Sequence, residues 1–264
     1  MSVDQTQPPA SPPIRLTVAV ASFDDVKAAL SAGLRDFAKR PLLSLFFGLV
    51  FALFGVFLIA GLLVFDQVWI VIAAGLGFPL VAPFLAAGLY EMSRRISRGE
   101  PFKASDIFLV VFSQQRREFG WMSLIVLFVF WVWAYQIRLI LALTVHNTSV
   151  LSFERLASAL FTTSEGLTFL FIGTIVGAVL ATILYAITVI ATPLLLDKDV
   201  DCVTAMISSV QSVLKSPVVM LSWGAIVGAL TFLAIAPLFL GIVFIFPILG
   251  HTSWHLYARL IREN

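Results

Sequence analysis

The stretch PLLSLFFGLVFALFGVFLIAGLLVF, residues 41–65, decides the fold class, because it carries no charged residue over its whole length. A helix needs about 20 apolar residues to cross the hydrocarbon core of a bilayer. Five further stretches of this kind follow it along the chain. Together they predict an all-α bundle of six transmembrane helices, with spans at residues 41–65, 68–90, 121–143, 167–195, 218–236 and 238–257.

The composition of the whole chain agrees with a membrane protein. Of the 264 residues, 60% are hydrophobic and the mean hydropathy is +1.01, whereas soluble domains are about 45–50% apolar. Residues 1–22 are polar and rich in proline, and they are predicted to form a flexible tail ahead of an integral membrane domain at residues 23–264. Because this tail has no apolar core, it does not resemble a cleavable signal peptide.

The basic residues predict the orientation of the bundle, because lysine and arginine stay on the cytoplasmic side of a membrane. With six spans, all but two of the 17 basic residues fall on one side. They are Arg15, Lys27, Arg35, Lys39, Arg40, Arg94, Arg95, Arg98, Lys103, Arg116, Arg117, Lys198, Lys215, Arg259 and Arg262. Both termini are therefore predicted to be cytoplasmic. Such a face suits anionic lipid headgroups, and no feature points to nucleic acid.

A threefold pattern links the segments that precede spans one, three and five. Residues 25–41 and 201–217 each begin with an acid, carry a lysine near the end and finish in proline, with apolar residues at helical spacing. Residues 106–120 form a shorter copy. The pattern predicts interfacial helices, and hence three repeats of an interfacial helix and a transmembrane hairpin. Generic amphipathic loops are the alternative.

Glycine and proline indicate how the spans pack. The four-residue spacing of Gly173, Gly177 and Ala181, and that of Gly224 and Gly228, lets helix backbones approach closely. We expect internal packing at both faces. Each even-numbered span also carries a proline near its cytoplasmic half, which can kink the helix and line a cavity. These prolines are Pro83, Pro193 and Pro247.

Arg138 is one of the two basic residues on the opposite side, in an aromatic part of span three. We expect its side chain to reach the outer surface and to pair with Asp66 or Glu154. A site for an anion or a quinone headgroup is the alternative. The nearby loop, residues 145–166, has apolar residues at helical spacing and is predicted to form a short surface helix.

His251 and His255 are four residues apart, so that a helix presents both on one face. Two imidazoles bind a metal stably only with further ligands, and Glu91 is the candidate for a third. The favoured interpretation is a pair of interfacial histidines bonded to neighbouring backbone or lipid, with no cofactor. The chain contains no P-loop, GxSxG motif or intramembrane carboxylate pair. It therefore gives no support to a hydrolase, an ATPase or a proton pump.

Three stretches resemble one family: residues 33–55, 77–101 and 246–261. The family consists of predicted bacterial integral membrane proteins that carry only a domain-of-unknown-function name, and some members are labelled cytochrome c oxidase subunit I-like. The resemblance implies a bacterial inner-membrane protein but no activity, and three histidines are too few for a haem–copper oxidase core. The matching positions selected as candidate functional residues are Arg35, Asp36, Pro41, Pro83, Tyr90, Arg94, Glu100, His251, Trp254, His255 and Tyr257.

The sequence favours a non-enzymatic accessory or assembly subunit of a larger membrane complex, respiratory or otherwise energy-transducing, with lipids and other integral membrane proteins as partners. The aromatic third span is the first candidate for the partner contact. A transporter or lipid-handling protein is the alternative, based on the repeat and the prolines. A metal- or haem-binding redox protein that uses His251 and His255 is a weaker alternative.

Overall fold

The computed structural model describes residues 16–63, 68–112, 116–144 and 153–263, most of them helical. The helices are α1 (Phe23–Lys39), α2 (Pro41–Leu63), α3 (Val68–Arg98), α4 (Ala104–Phe112), α5 (Arg116–Thr144), α6 (Phe153–Thr162), α7 (Ser164–Thr188), α8 (Ala191–Asp197), α9 (Cys202–Lys215), α10 (Pro217–Ile235) and α11 (Ile242–Leu260). Two short strands, β1 (Leu16–Val18) and β2 (Ile261–Glu263), flank this series. The predicted short helix in the loop at residues 145–166 is present as α6.

Within the described residues, four helical segments are long and apolar enough to cross a membrane. They are Pro41–Gly61, Glu118–Thr144, Ser164–Asp197 and Pro217–Ile235. These segments support an all-α integral membrane protein. The other two predicted spans are also helical, as α3 and α11. The second half of α11 carries His251, His255 and Arg259, which lower its hydropathy, and the six-span count stays a prediction.

Helix α1 lies along α11 because small residues line their contact. A Cβ atom added at Gly33 would lie 2.5 Å from Thr252 Oγ1 and 2.7 Å from the Thr252 backbone nitrogen. Ala29, one turn earlier, is fully buried. The start of α1 is fixed by a capping box, in which the Ser22 hydroxyl and the Asp25 carboxylate bond to each other's backbone N–H. We call the end of the bundle where α1, α4, α9 and both strands lie the polar end.

The two strands join the first and last described segments of the chain. β1 pairs antiparallel with β2, with Thr17 opposite Arg262. The Lys215 ammonium also donates to the Val18 carbonyl at 2.9 Å, which attaches β1 to α9. The flexible tail predicted over residues 1–22 therefore extends too far, because residues 16–22 are held by backbone pairing and a helix cap. Residues 1–15 lie outside the described part.

The predicted fourth span, residues 167–195, is interrupted. Helix α7 ends at Thr188 and α8 begins at Ala191. Pro193 has no N–H to donate to the carbonyl of Val189, and its ring would clash with that carbonyl in a continuous helix. Ser209 of α9 stabilises the break, because its hydroxyl donates to the Ala186 carbonyl at 2.7 Å and accepts from the Ile190 N–H at 3.1 Å.

A tight turn separates α10 from α11, so that the helix of the sixth predicted span begins at Ile242 and not at residue 238. Leu238 and Phe239 adopt φ values of 53° and 65°. Bulky residues are uncommon in this left-handed region. Pro237 accounts for the position of the turn, since it cannot continue the hydrogen-bond ladder of α10.

Helix α9 is amphipathic, but its polar face points inward. Ser208, Ser209 and Ser212 are buried, whereas Val203 and Leu214 are 63% and 71% exposed. A helix on a soluble protein would bury its apolar stripe. The exposed stripe of α9 fits the predicted position along a membrane surface.

Candidate functional site

A chain of hydrogen bonds crosses four helices near the polar end. The His255 Nε2 atom lies 2.7 Å from the Asp36 carboxylate, which joins α11 to α1. The ring of His251 lies between two hydroxyls, with Nε2 2.9 Å from Ser44 Oγ on α2 and Nδ1 2.8 Å from Ser93 Oγ on α3. Ser93 also bonds to Asp36. The polar network is therefore Ser44–His251–Ser93–Asp36–His255.

The carboxylate of Asp36 fixes the direction of this network. An ionised carboxylate only accepts hydrogen bonds, so Ser93 uses its single proton toward Asp36. His251 then donates from Nδ1 to Ser93, and its Nε2 accepts the single proton of the Ser44 hydroxyl. The Arg40 carbonyl lies 3.0 Å from the same hydroxyl, but it already accepts from the Ser44 backbone N–H. The resulting tautomer is neutral and carries its proton on Nδ1. Both ring nitrogens of His251 and the hydroxyls of Ser44 and Ser93 are thereby paired, as buried polar groups require.

Asp36 stays ionised although it is 3% exposed. Burial raises the pKa of a carboxyl group, but the hydrogen bonds from His255 and Ser93 and the nearby imidazoles outweigh that effect. The pKa of Asp36 therefore lies below its ordinary value. Lys39, 4.0 Å away, adds a weak ion pair.

The residues considered for a metal site are all bonded to other side chains. Both ring nitrogens of His251 contact hydroxyls, and His255 contacts Asp36. Glu91, the candidate third ligand, is bound by two arginines. Within the described residues, no group of three or more His, Cys, Asp or Glu side chains could hold a metal ion. We expected His251 and His255 to bond to neighbouring backbone or lipid, whereas both bond to side chains.

Glu91 is a fully buried carboxylate between two arginines of its own helix. Arg94 Nε lies 2.6 Å and Arg95 Nε 2.5 Å from its oxygens. Burial acts to raise the pKa of Glu91, but these charge-assisted bonds hold it below its ordinary value. Arg95 also lies 3.9 Å from Asp106, which links α3 to α4.

Asp197, the last residue of α8, joins three parts of the polar end. Its carboxylate accepts from Arg98 at 2.8 Å and from the Tyr257 hydroxyl at 2.9 Å. Lys198 lies 3.6 Å from the same carboxylate and 2.8 Å from Glu263 of β2. The ring of Trp254 packs on Tyr257 with centroids 5.3 Å apart. Asp197 therefore ties α8 to α3 and α11.

An apolar slot of about 450 Å³ lies between α2, α3, α10 and α11. Phe51, Phe54, Phe239 and Phe246 supply most of its aromatic wall. Tyr90, the residue directly before Glu91, lines it from α3. Pro83 and Pro247, which the transporter or lipid-handling alternative places near a cavity, are absent from its lining; both lie within continuous helices.

A second cavity, about 440 Å³, forms a groove between α3, α5 and α7. It is lined by Phe130 and Trp133 of α5 and by Gly177 and Ala181 of α7. The predicted close packing at this small-residue face is only partly present, because nothing lies within 4 Å of a Cβ placed at Gly173.

The other small-residue face behaves in a similar way. A Cβ at Gly224 would lie 3.1 Å from the Tyr185 ring, whereas nothing lies within 4 Å of one at Gly228.

Some candidate residues lie apart from the polar network. Arg35 is exposed and bonds only to Ser31 of its own helix among the described residues. Glu100 lies 4.0 Å from Arg98 at the surface. Arg138 is exposed on α5, and its expected partners, Asp66 and the side chain of Glu154, lie outside the described part.

Sequence reasoning missed Ser44, Ser93 and Asp197. A serine within an apolar helix is common, and only the packing of α2 and α3 against His251 reveals the role of the first two. Asp197 carries a signal that could have been used, since a carboxylate beside the proline-containing end of a span marks a helix terminus. Cys202, the single cysteine of the chain, is buried in the core, and burial raises the pKa of its thiol.

Comparison with known proteins agrees with the membrane assignment. No curated protein and no solved structure matches the chain. The segment that does match a family begins in α3 and ends with α8, and it contains Ser93, Glu91, Arg94 and Asp197. The resemblance inferred from the sequence is confirmed: over residues 70–197 the chain matches the family described as Predicted integral membrane protein (DUF2189).

Proposed function

We propose that this integral membrane protein is a non-enzymatic accessory or assembly subunit of a larger membrane complex in the bacterial inner membrane. Its partners are lipids and other integral membrane proteins. The proposal rests on one observation, the groove between α3, α5 and α7, which is large enough to receive a few side chains of a transmembrane helix of another chain.

The two helices that form most of this groove bury little of their apolar surface. In the most apolar window of α5 only 6% of residues are buried, and in that of α7 none is, against 28% in α2. Burying apolar surface stabilises little within lipid, so helix association there depends on close packing. A groove with Gly177 and Ala181 on one wall and Trp133 on the other provides a shaped contact of this kind.

Two matched substitutions on α7 test the proposal. Ala181→Leu fills the groove, whereas Ala178→Leu adds the same volume on the exposed side, outside the groove. After mild detergent extraction through a terminal tag, the unmodified chain should recover defined partner chains. We expect Ala181→Leu to reduce that recovery several-fold and Ala178→Leu to leave it unchanged. Equal recovery with both variants, or purification without any partner, would contradict the proposal.

We also propose six spans with both termini in the cytoplasm. With a rise of about 1.5 Å per residue, the 31 residues of α3 extend about 46 Å, beyond the hydrocarbon thickness of about 30 Å. Its charged last turns, from Glu91 to Arg98, then lie at headgroup level. The excess of basic residues at this end supports the cytoplasmic assignment.

A thiol-labelling experiment tests this orientation. Cys202 is buried and is a poor probe, so the background is Cys202→Ala. Ser31→Cys on α1 and Ser164→Cys at the start of α7 introduce exposed thiols at opposite ends. A membrane-impermeant maleimide should label Ser164→Cys in intact cells and Ser31→Cys only in inverted vesicles. The reverse pattern would overturn the orientation.

A lipid-handling protein or transporter is the second candidate, and the apolar slot is the observation that favours it. The slot lies among helices that include both the third and the eleventh, the two that carry Pro83 and Pro247. The purified chain in liposomes would then move a lipid or solute across the bilayer. Lack of flux, combined with recovery of defined partners, separates the accessory role from this one.

A further inference from the structure

The apolar slot is elongated along α11. Its lining on that helix runs from Ile242 through Phe246 and Leu249 to Ser253. The eleven steps from residue 242 to residue 253, at a rise of about 1.5 Å each, give a length of about 17 Å. This length is about half of the hydrocarbon thickness of about 30 Å.

The two ends of the slot differ in chemistry. Phe239, held at a positive φ by the turn before α11, packs its ring against Gly55 and closes the apolar end. At the other end lie the hydroxyls of Tyr90 and Ser253. Neither hydroxyl has a hydrogen-bond partner within the part of the chain that the structure describes, although most hydroxyls in these helices bond to a carbonyl or a side chain. Two hydroxyl groups without a partner among the described residues therefore lie at one end of the apolar slot.

The slot has the size and position for one lipid chain. Its volume of about 450 Å³ falls within the range of about 300–1,000 Å³ that is typical of ligand sites. Ile235 on its edge is exposed, so that the slot opens toward the surrounding lipid. The end of the slot that contains Tyr90 and Ser253 lies at the level of the charged turns of α3, where lipid ester groups and headgroups would lie.

We propose that this slot binds a single acyl chain of a membrane phospholipid. The chain lies along α11, its end contacts Phe239, and its ester carbonyl accepts hydrogen bonds from Tyr90 and Ser253. This site is separate from the groove between α5 and α7, and it does not depend on a partner protein.

The test uses substitutions that fill the slot. Val227 of α10 lines it, whereas its neighbour Ile226 is exposed and does not. We expect the unmodified chain, after exhaustive detergent exchange, to retain one phospholipid per chain in native mass spectrometry. Val227→Phe should reduce this retention at least several-fold, and Ile226→Phe should leave it unchanged. Ala86→Leu fills the slot from α3 and provides a second variant, should Val227→Phe melt at a lower temperature than the unmodified chain.

A photoactivatable phosphatidylethanolamine, with a diazirine on its acyl chain, locates the site. Added to the delipidated protein, it should crosslink to peptides that contain Phe246 or Leu249, and Tyr90→Phe should weaken the crosslink. Crosslinks confined to α5 and α7, or equal retention by Val227→Phe and Ile226→Phe, would overturn the proposal. So would a stoichiometric quinone, and not a phospholipid, in the organic extract of the purified protein.

Discussion

Asp36 and His255 are 219 residues apart in the chain, and their side chains meet at 2.7 Å in the interior of the polar end. The contact joins the first helix to the last. It also positions the carboxylate that orders the bonds of Ser93 and His251. The arrangement of four helices therefore depends on the charge of one side chain on a helix outside the predicted spans.

Replacing this carboxylate should destabilise the bundle. Asp36→Asn leaves one carbonyl oxygen in place of the two carboxylate oxygens that serve His255 and Ser93. Hydrogen bonds to charged groups contribute about 1.5–3 kcal/mol each, and we expect a loss of about 2 kcal/mol in the free energy of unfolding in detergent micelles. Asp24→Asn, on an exposed side chain of the same helix, should change it by less than about 0.5 kcal/mol.

The same variant gives a test by pH. The pKa of Asp36 is lowered from 3.8 in the folded protein, so its stabilisation is complete above that value and is lost as the pH falls through the lowered folded value. The difference in unfolding free energy between the unmodified chain and Asp36→Asn should therefore shrink only below about pH 4. A difference that grows as the solution is acidified below that pH would show that the carboxyl group is not stabilised in its ionised form.

The direction of the polar network predicts the tautomer of His251. Nitrogen-15 spectra of the labelled protein should show a protonated Nδ1 and an unprotonated Nε2. Ser93→Ala removes the acceptor of the Nδ1 proton and should alter this pattern, whereas Ser97→Ala, one turn further along α3, should not. A proton on Nε2 in the unmodified chain would reverse the direction of the network.

Neutralising Glu91 should lower the free energy of unfolding more than neutralising Glu100. Glu91→Gln removes the charge that balances Arg94 and Arg95. Breaking a fully buried ion pair costs about 3–5 kcal/mol, and because both arginines keep about a fifth of their surface exposed we expect about 2–3 kcal/mol. Glu100→Gln, at the surface 4.0 Å from its arginine, is the control and should be close to neutral. Equal melting temperatures for the two variants would contradict this reading of the cluster.

Two glycine substitutions should have effects of opposite sign. Alanine is favoured over glycine in a helix by about 1 kcal/mol. At Gly173 nothing lies within 4 Å of the added methyl group, so Gly173→Ala should be neutral or stabilising. At Gly33 the methyl group would meet the backbone of Thr252, and Gly33→Ala should destabilise by about 1–3 kcal/mol. Thermal unfolding of both variants in the same detergent provides the comparison.

Helices and their approximate ends could be predicted from the sequence, because apolar runs, helix caps and prolines are local signals. The polar network could be predicted only in part. His251, His255 and Asp36 were selected, but Ser44 and Ser93 become partners only when three helices pack together.

The strand pairing of Leu16–Val18 with Ile261–Glu263 was missed for a related reason. Three residues give too short a pattern to indicate a strand, and the partner lies at the opposite end of the described chain. The break after α7 could have been predicted, because Pro193 lies four residues beyond Val189 and cannot donate a hydrogen bond to its carbonyl.

The pairing of α1 with α11 also affects the order in which contacts form while the chain is synthesised. At a synthesis rate of about 5–20 residues per second, the 219 residues between Asp36 and His255 take about 10–40 s to emerge. During that interval α1 has none of its final contacts with α11, and its amphipathic surface must remain on the membrane. Because α11 follows all the other described helices in the chain, those helices can insert before the polar end closes.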